Sequence, residues 1–227
     1  MFVVSSAACA QTAQERERLS VEHSERGDRL RRAGDLQGAL AEHQKAAELA
    51  PDDAKSYTAL AYIYMELKEF EQAKIELEKA VALDPKDTTA RSMLASVLEE
   101  LGDQQGSMKQ YQEAVNIAPR DPYFITNLGI AQEHSGDNDL ARKTYKQALS
   151  IDSGYSYALY RLGELENEEG RRALTIELFK RAAERKPPPE REEQERPFIT
   201  ESKKIDAANR AELENNIPSK HKSRIRI

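Results

Sequence analysis

At 227 residues, with 39% hydrophobic and 33% charged side chains, no Trp and many Ala, Glu, Lys, Leu and Arg, the chain has room for one sizeable domain of helical composition. The net charge is −6, of which residues 20–189 hold −7; such a surface repels phosphate backbones and excludes nucleic acid as a partner. The single cysteine, Cys9, excludes an internal disulfide or a cysteine metal site, so helix packing must hold the fold.

Residues 1–14 are uncharged and contain Ala8-Cys9-Ala10, a small-residue pattern like the end of a secretory signal, yet without a positive segment before it. Three readings stand side by side: a frayed cytoplasmic N-terminus, an export signal whose true start lies upstream with a periplasmic or exported product, and a lipid-modified Cys9. The apolar part is far too short to span a bilayer, and no transmembrane span is expected.

From about Gln14 the chain turns helical, and a strict period follows. Pro51, Pro85, Pro119 and Pro187 are separated from one another by multiples of 34 residues, with Ser153 in the remaining slot. Setting the proline as the thirty-second place gives five units: 20–53, 54–87, 88–121, 122–155 and 156–189. The eighth place then reads Gly27, Ala61, Ala95, Gly129 and Gly163. The twentieth reads Ala39, Ala73, Ser107, Ala141 and Thr175, and the twenty-seventh is Ala throughout, at 46, 80, 114, 148 and 182. Three columns of small residues mark places where helix backbones approach closely, because larger side chains would hold the axes apart.

Each unit reads as two helical runs around a turn. The turns are Gly34-Asp35, Gly102-Asp103, Gly136-Asp137 and Gly170-Arg171, where glycine takes the left-handed conformation that ends a helix; Lys68-Glu69 serves without glycine. Between units, proline ends one helix and suits the opening of the next. The fourth boundary, Asp152-Ser153-Gly154, uses capping and turn chemistry instead. After Pro187-Pro188-Pro189 comes a mixed charge run. A final helix over 202–215, carrying Ile205, Ala208 and Leu213, is expected to cap the array; the alternative is that the prolines hold it away. The last eight residues, with four positive charges, read as a solvated tail or as a contact to the acidic repeats or a partner.

This pattern resembles the tetratricopeptide repeat family, whose unit is a helix–turn–helix with large, small and aromatic residues at set places and a proline near its end. The seventh place is Leu60, Leu94, Leu128 and Leu162, with Arg26 the exception. The twenty-fourth, usually aromatic in the family, is His43, Leu77, Tyr111, Tyr145 and Phe179. The resemblance covers 20–189 and implies an all-α, right-handed α-solenoid of five tandem helix-turn-helix repeats. Departures gather in the first unit (Arg26, His23), as expected where a terminal repeat meets water, and late in the fourth and fifth (Gln132, Glu166, Ser153).

At 100° per residue, the fourth, seventh, eighth and eleventh places of each first helix form the packing face, and the second, fifth, ninth and twelfth lie opposite. That opposite face is rich in tyrosine, which offers a large apolar body with a polar tip. The resemblance implies that these places line a concave groove receiving a peptide or a helix. The expected groove residues are Lys55, Tyr62, Met93, Ser96, Tyr123, Asn127, Ile130, Tyr157, Tyr160 and Arg161. The expected acidic rim is Glu66, Glu99, Glu100, Glu133 and Glu168, which favours a partner with basic flanks. The competing reading is that the tyrosines pack between adjacent first helices.

Some family members clamp a heat-shock chaperone's C-terminal carboxylate with Lys and Asn residues in one unit, Asn in the next, and Lys and Arg in a third. Here Asn127 and Arg161 match, while Ser92, Ser96 and Tyr157 occupy the places of the other three, so both neutralising lysines are missing. Catalysis finds little support. His23 and His43 occupy packing places, His134 the rim and His221 the tail, and there is no phosphate loop or activated nucleophile. The sequence thus predicts a non-catalytic adaptor or scaffold with no cofactor, no metal and no small-molecule substrate. The runner-up is a self-associating structural component of an envelope or multiprotein assembly.

Overall fold

The structure is a computed structural model that describes the backbone of residues 6–216 and the side chains of 12–212. The side chains of Cys9 and Leu213, and all of His221 with the basic C-terminal run, lie outside the described residues. The described residues form eleven α-helices and no strand. They divide into two compact units, Met1–Ile117 and Ala118–Ile227.

The first unit contains three antiparallel pairs: α1 (Ser6–Arg32) with α2 (Leu36–Leu49), α3 (Ala54–Glu66) with α4 (Phe70–Leu83), and α5 (Thr88–Glu100) with α6 (Gln104–Ile117). Helix α1 begins well before Gln14, its uncharged opening continuing the helix without a break. Within each pair the turn is the one its residues dictate. Gly34 and Gly102 have φ of +84° and +81°, and Lys68 takes +61° despite its side chain. At the first turn the Gly34 N–H reaches the Arg31 carbonyl and the Asp35 N–H the Leu30 carbonyl, satisfying carbonyls that a helix end leaves open. The next residue then opens the second helix, Asp35 accepting from Gly38 N–H and Asp103 from Gly106 N–H. Asp53 and Asp87 cap α3 and α5 in the same way.

The second unit contains α7 (Pro122–His134) with α8 (Asn138–Ile151), α9 (Ser156–Glu168) with α10 (Arg172–Ala183), a 3₁₀ turn at Pro189–Arg191, and α11 (Glu192–Asn216). Helix α11 packs on α10 and also touches α9. It starts well upstream of Ser202, where the sequence reading began it. Acidic residues Glu192, Glu193 and Glu195 in the first turn favour a helix N-terminus there, and Pro197 removes only one backbone donor near that end.

The three small columns are the core of both units. The alanines at 39, 46, 61, 73, 80, 95, 114, 141, 148 and 182 are fully buried, and Ser107 and Thr175 are buried in the same column as Ala39. The eighth and twenty-fourth places face each other. A Cβ on Gly129 would fall 2.6 Å from Tyr145, one on Gly27 2.6 Å from His43, and one on Gly163 3.1 Å from Phe179. In these three pairs an aromatic ring sits against bare backbone; at the same places Ala61 and Leu77 share one buried core, and Ala95 and Tyr111 are both buried.

Candidate functional site

In the first unit, α1, α3 and α5 turn Asp28, Arg31, Lys55, Tyr62 and Met93 toward one concavity of about 710 Å³. Tyr62 is 44% exposed, an unusual state for a large ring in a chain whose other tyrosines are mostly buried or half-buried. The Arg31 guanidinium lies 4.9 Å from its ring centroid and 3.7 Å from the Glu66 carboxylate. Met93 is half-buried against the core of α3 to α5. Ser96 is engaged by the Tyr111 hydroxyl at 3.0 Å, and Glu99 accepts from Ser107 Oγ at 3.2 Å. Glu100 is exposed.

In the second unit the corresponding side chains bind one another. The Tyr157 hydroxyl donates to Asn127 Oδ1 at 3.1 Å, tying α9 to α7, and its ring stacks on Phe198 of α11 with centroids 4.0 Å apart. Tyr160 lies 5.7 Å from both Phe198 and Phe179 and donates to Glu164 at 2.9 Å. Burial, with the Glu164 carboxylate beside it, pushes the Tyr160 hydroxyl up to about 12. Arg161 bridges Glu133 and Glu164, each at 2.8 Å, and Tyr145 donates to the other oxygen of Glu133 at 2.5 Å. Burial first, and then the Glu133 carboxylate, hold the Tyr145 hydroxyl far above the ordinary tyrosine range. Asn127 is buried, Tyr123 and Ile130 are half-buried, and Glu168 is exposed.

The sequence reading missed a second group. Tyr155 occupies the cap place of α9, where Asp53, Asp87 and Asp121 stand before α3, α5 and α7, and it offers no capping side chain. The carboxylate comes instead from α11: Glu195 Oε2 accepts from Ser156 N–H at 2.9 Å and from Ser156 Oγ at 2.7 Å. Arg185 links Glu195 to Asp152, and Arg191 joins Asp152 from above the Tyr155 ring. The available signal was the departure at the fourth boundary, where Ser153 stands in the place of the proline and Tyr155 in that of the capping aspartate.

Of the described histidines, His23 and His43 have structural partners. His23 Nδ1 meets Glu42 at 2.7 Å, and His43 is buried against Gly27, its pKa lowered by burial against the pull of Asp28. His134 is exposed. Among the described residues there is no cluster of three His, Cys, Asp or Glu able to hold a metal, and no helix long and apolar enough to cross a membrane.

Family models described as tetratricopeptide repeat match residues 30–97, 88–121 and 126–188. No curated protein matches the sequence. Among solved structures, MamA is similar at 26% identity and a TM-score of 0.62, over 70% of this chain and 92% of that one. YrrB, described as a TPR protein with an unusual peptide-binding site, is 22% identical with a TM-score of 0.59, over 86% of this chain and 97% of its own. PilF of Pseudomonas aeruginosa is 18% identical with a TM-score of 0.67, over 90% of this chain and 95% of its own. With the three matches covering most of the helical pairs, and the turns, small columns and facing rings in register with them, the chain belongs to the tetratricopeptide repeat family.

Proposed function

We propose that the chain is a non-catalytic adaptor that holds a segment of another protein against the inner faces of its first helices. The observation that carries this reading is the exposed ring of Tyr62 in a concavity of about 710 Å³. Aromatic side chains left on a concave surface are typical anchors for a partner. In the first unit the contact surface is Lys55, Tyr62, Met93 and Ser96. In the second it is Tyr123, Asn127, Ile130, Tyr157, Tyr160 and Arg161, with a smaller share of free surface because these groups also bind each other. Glu66, Glu99 and Glu133 are drawn into internal contacts. Glu100 and Glu168 therefore serve as the rim carboxylates for basic flanks of the partner.

Panning a random peptide library on the immobilised protein tests this reading. Peptides enriched on the wild type should be lost on Tyr62→Ala while the variant keeps its circular dichroism and melting temperature. An enriched set that binds the variant equally well would overturn it.

A further inference from the structure

His43 stands at the twenty-fourth place, where the other units carry Leu77, Tyr111, Tyr145 and Phe179, and it alone of these can take up a proton near neutrality. It is 2% exposed, its ring set against the Gly27 backbone of α1. Nε2 lies 3.5 Å from Asp28 Oδ1, while Nδ1 is buried and has no hydrogen-bond partner among the described residues. A neutral ring suits this setting, with its one proton on Nε2 toward Asp28 and its bare nitrogen enclosed. A second proton would stand on Nδ1 without an acceptor, and a buried donor left unmade is costly. Around the ring, burial opposes the charged form most; Asp28 favours it, Arg31 opposes it and Glu42 favours it, and the balance lowers the pKa. The concavity that His43 also lines brings Lys55 and Tyr62 of α3 and Asp84, Lys86 and Asp87 from the turn before α5, two bases against two acids.

We propose that His43 is an acid-sensitive latch between α1 and α2: a proton on its ring loosens α1, and with α1 goes the Asp28 and Arg31 wall of the Tyr62 concavity. The latch is a property of the fold and stands without the adaptor reading. Because the folded chain holds the ring below its ordinary value of 6.5, the unfolded chain takes the proton first. The contribution of His43 is therefore whole above 6.5 and falls as pH drops below it, well before the Glu42 carboxyl is titrated. His23 acts in the opposite sense. It meets Glu42 at 2.7 Å, and a positive charge there strengthens the contact of α1 with α2.

Hydrogen-exchange mass spectrometry on the full chain at about pH 7.5 and about pH 5.5, corrected for the exchange rates of an unstructured chain, tests the latch. Protection of the α1 amides alongside α2 should fall in acid, up to a limit of about tenfold set by one pH unit below the ordinary histidine value. His43→Phe, whose ring can meet Gly27 as that of Phe179 meets Gly163, should keep its protection. Asp28→Asn removes a charge that favours the proton, so its acid loss should be deeper than that of the wild type. Equal protection of the wild type at both pH values, or as large a loss in His43→Phe, overturns the proposal. Should His43→Phe fail to fold, Asp28→Asn decides, and an acid loss no deeper than the wild type's overturns it.

Discussion

Glu195 and Ser156 lie far apart in sequence and share two hydrogen bonds, a carboxylate oxygen of α11 receiving both the backbone N–H and the hydroxyl at the start of α9. The Glu195 side chain is fully buried, with Arg185 as its counter-charge at 3.3 Å. Breaking a buried charge pair by removing one partner strands the other, so Glu195→Ala should cost about 3–5 kcal/mol, and Ser156→Ala about 1 kcal/mol. The double variant should cost less than the sum, because the partners share one interaction. Denaturant unfolding measures the total, and hydrogen exchange at the Ser156 amide, expected to accelerate in Glu195→Ala, locates it.

The contact of Gly129 with Tyr145 gives a second expectation. A methyl group placed 2.6 Å from a buried ring forces the ring or the backbone to move, and Gly129→Ala should destabilise by about 1–3 kcal/mol. The chain already contains the remedy in its Ala61 and Leu77 pair. Gly129→Ala combined with Tyr145→Leu should recover part of the packing loss, though the Glu133 contact of the hydroxyl goes with the ring. A double variant no more stable than Gly129→Ala would overturn the account of the facing columns.

Acid should weaken the first unit through Glu42. Hydrogen bonds from His23 and Lys45, with Lys45 and Arg26 adding their charge, hold its carboxyl down to about 2 against an ordinary 4.5. Because the folded value is the lower one, its contribution is fully present above about 4.5 and is lost as pH falls toward 2. Glu42→Gln should melt lower at pH 7 and show a smaller further drop between these values. Thermal melts across that range check both halves.

Tyr62 and Tyr157 share a face by sequence and should behave oppositely. Truncating exposed Tyr62 to Ala should alter stability by no more than about 0.5 kcal/mol, whereas Tyr157→Ala, which loses the Phe198 stack and the Asn127 bond, should cost about 2–3 kcal/mol. A stability loss at Tyr62 equal to that at Tyr157 would make both packing residues.

The fold was legible because its determinants are local and repeated. Glycine after four of the five first helices, aspartate after three of those glycines and alanine at most of the close approaches each act within one unit, and each recurs with the period. The same periodicity predicts like helix faces for Tyr62, Tyr123 and Tyr157. What distinguishes those residues was not legible, because it depends on long-range neighbours. Phe198 meets Tyr157 only when α11 folds back on α9, and a helix with Pro197 in it reads as interrupted until its acidic first turn is weighed. The rim misled in a similar way, since Glu66 and Glu133 look free along their own helices and are bound across to Arg31 and Arg161.

The cap that α9 borrows from α11 has an evolutionary corollary. Tandem arrays grow and shrink by copying or deleting whole modules, which works while each module carries its own start signal. The pair α9–α10 lacks that independence. It can be duplicated or moved only together with the twenty-five residues of α11, and a protein shortened before Glu192 would lose the start of α9 along with its last helix.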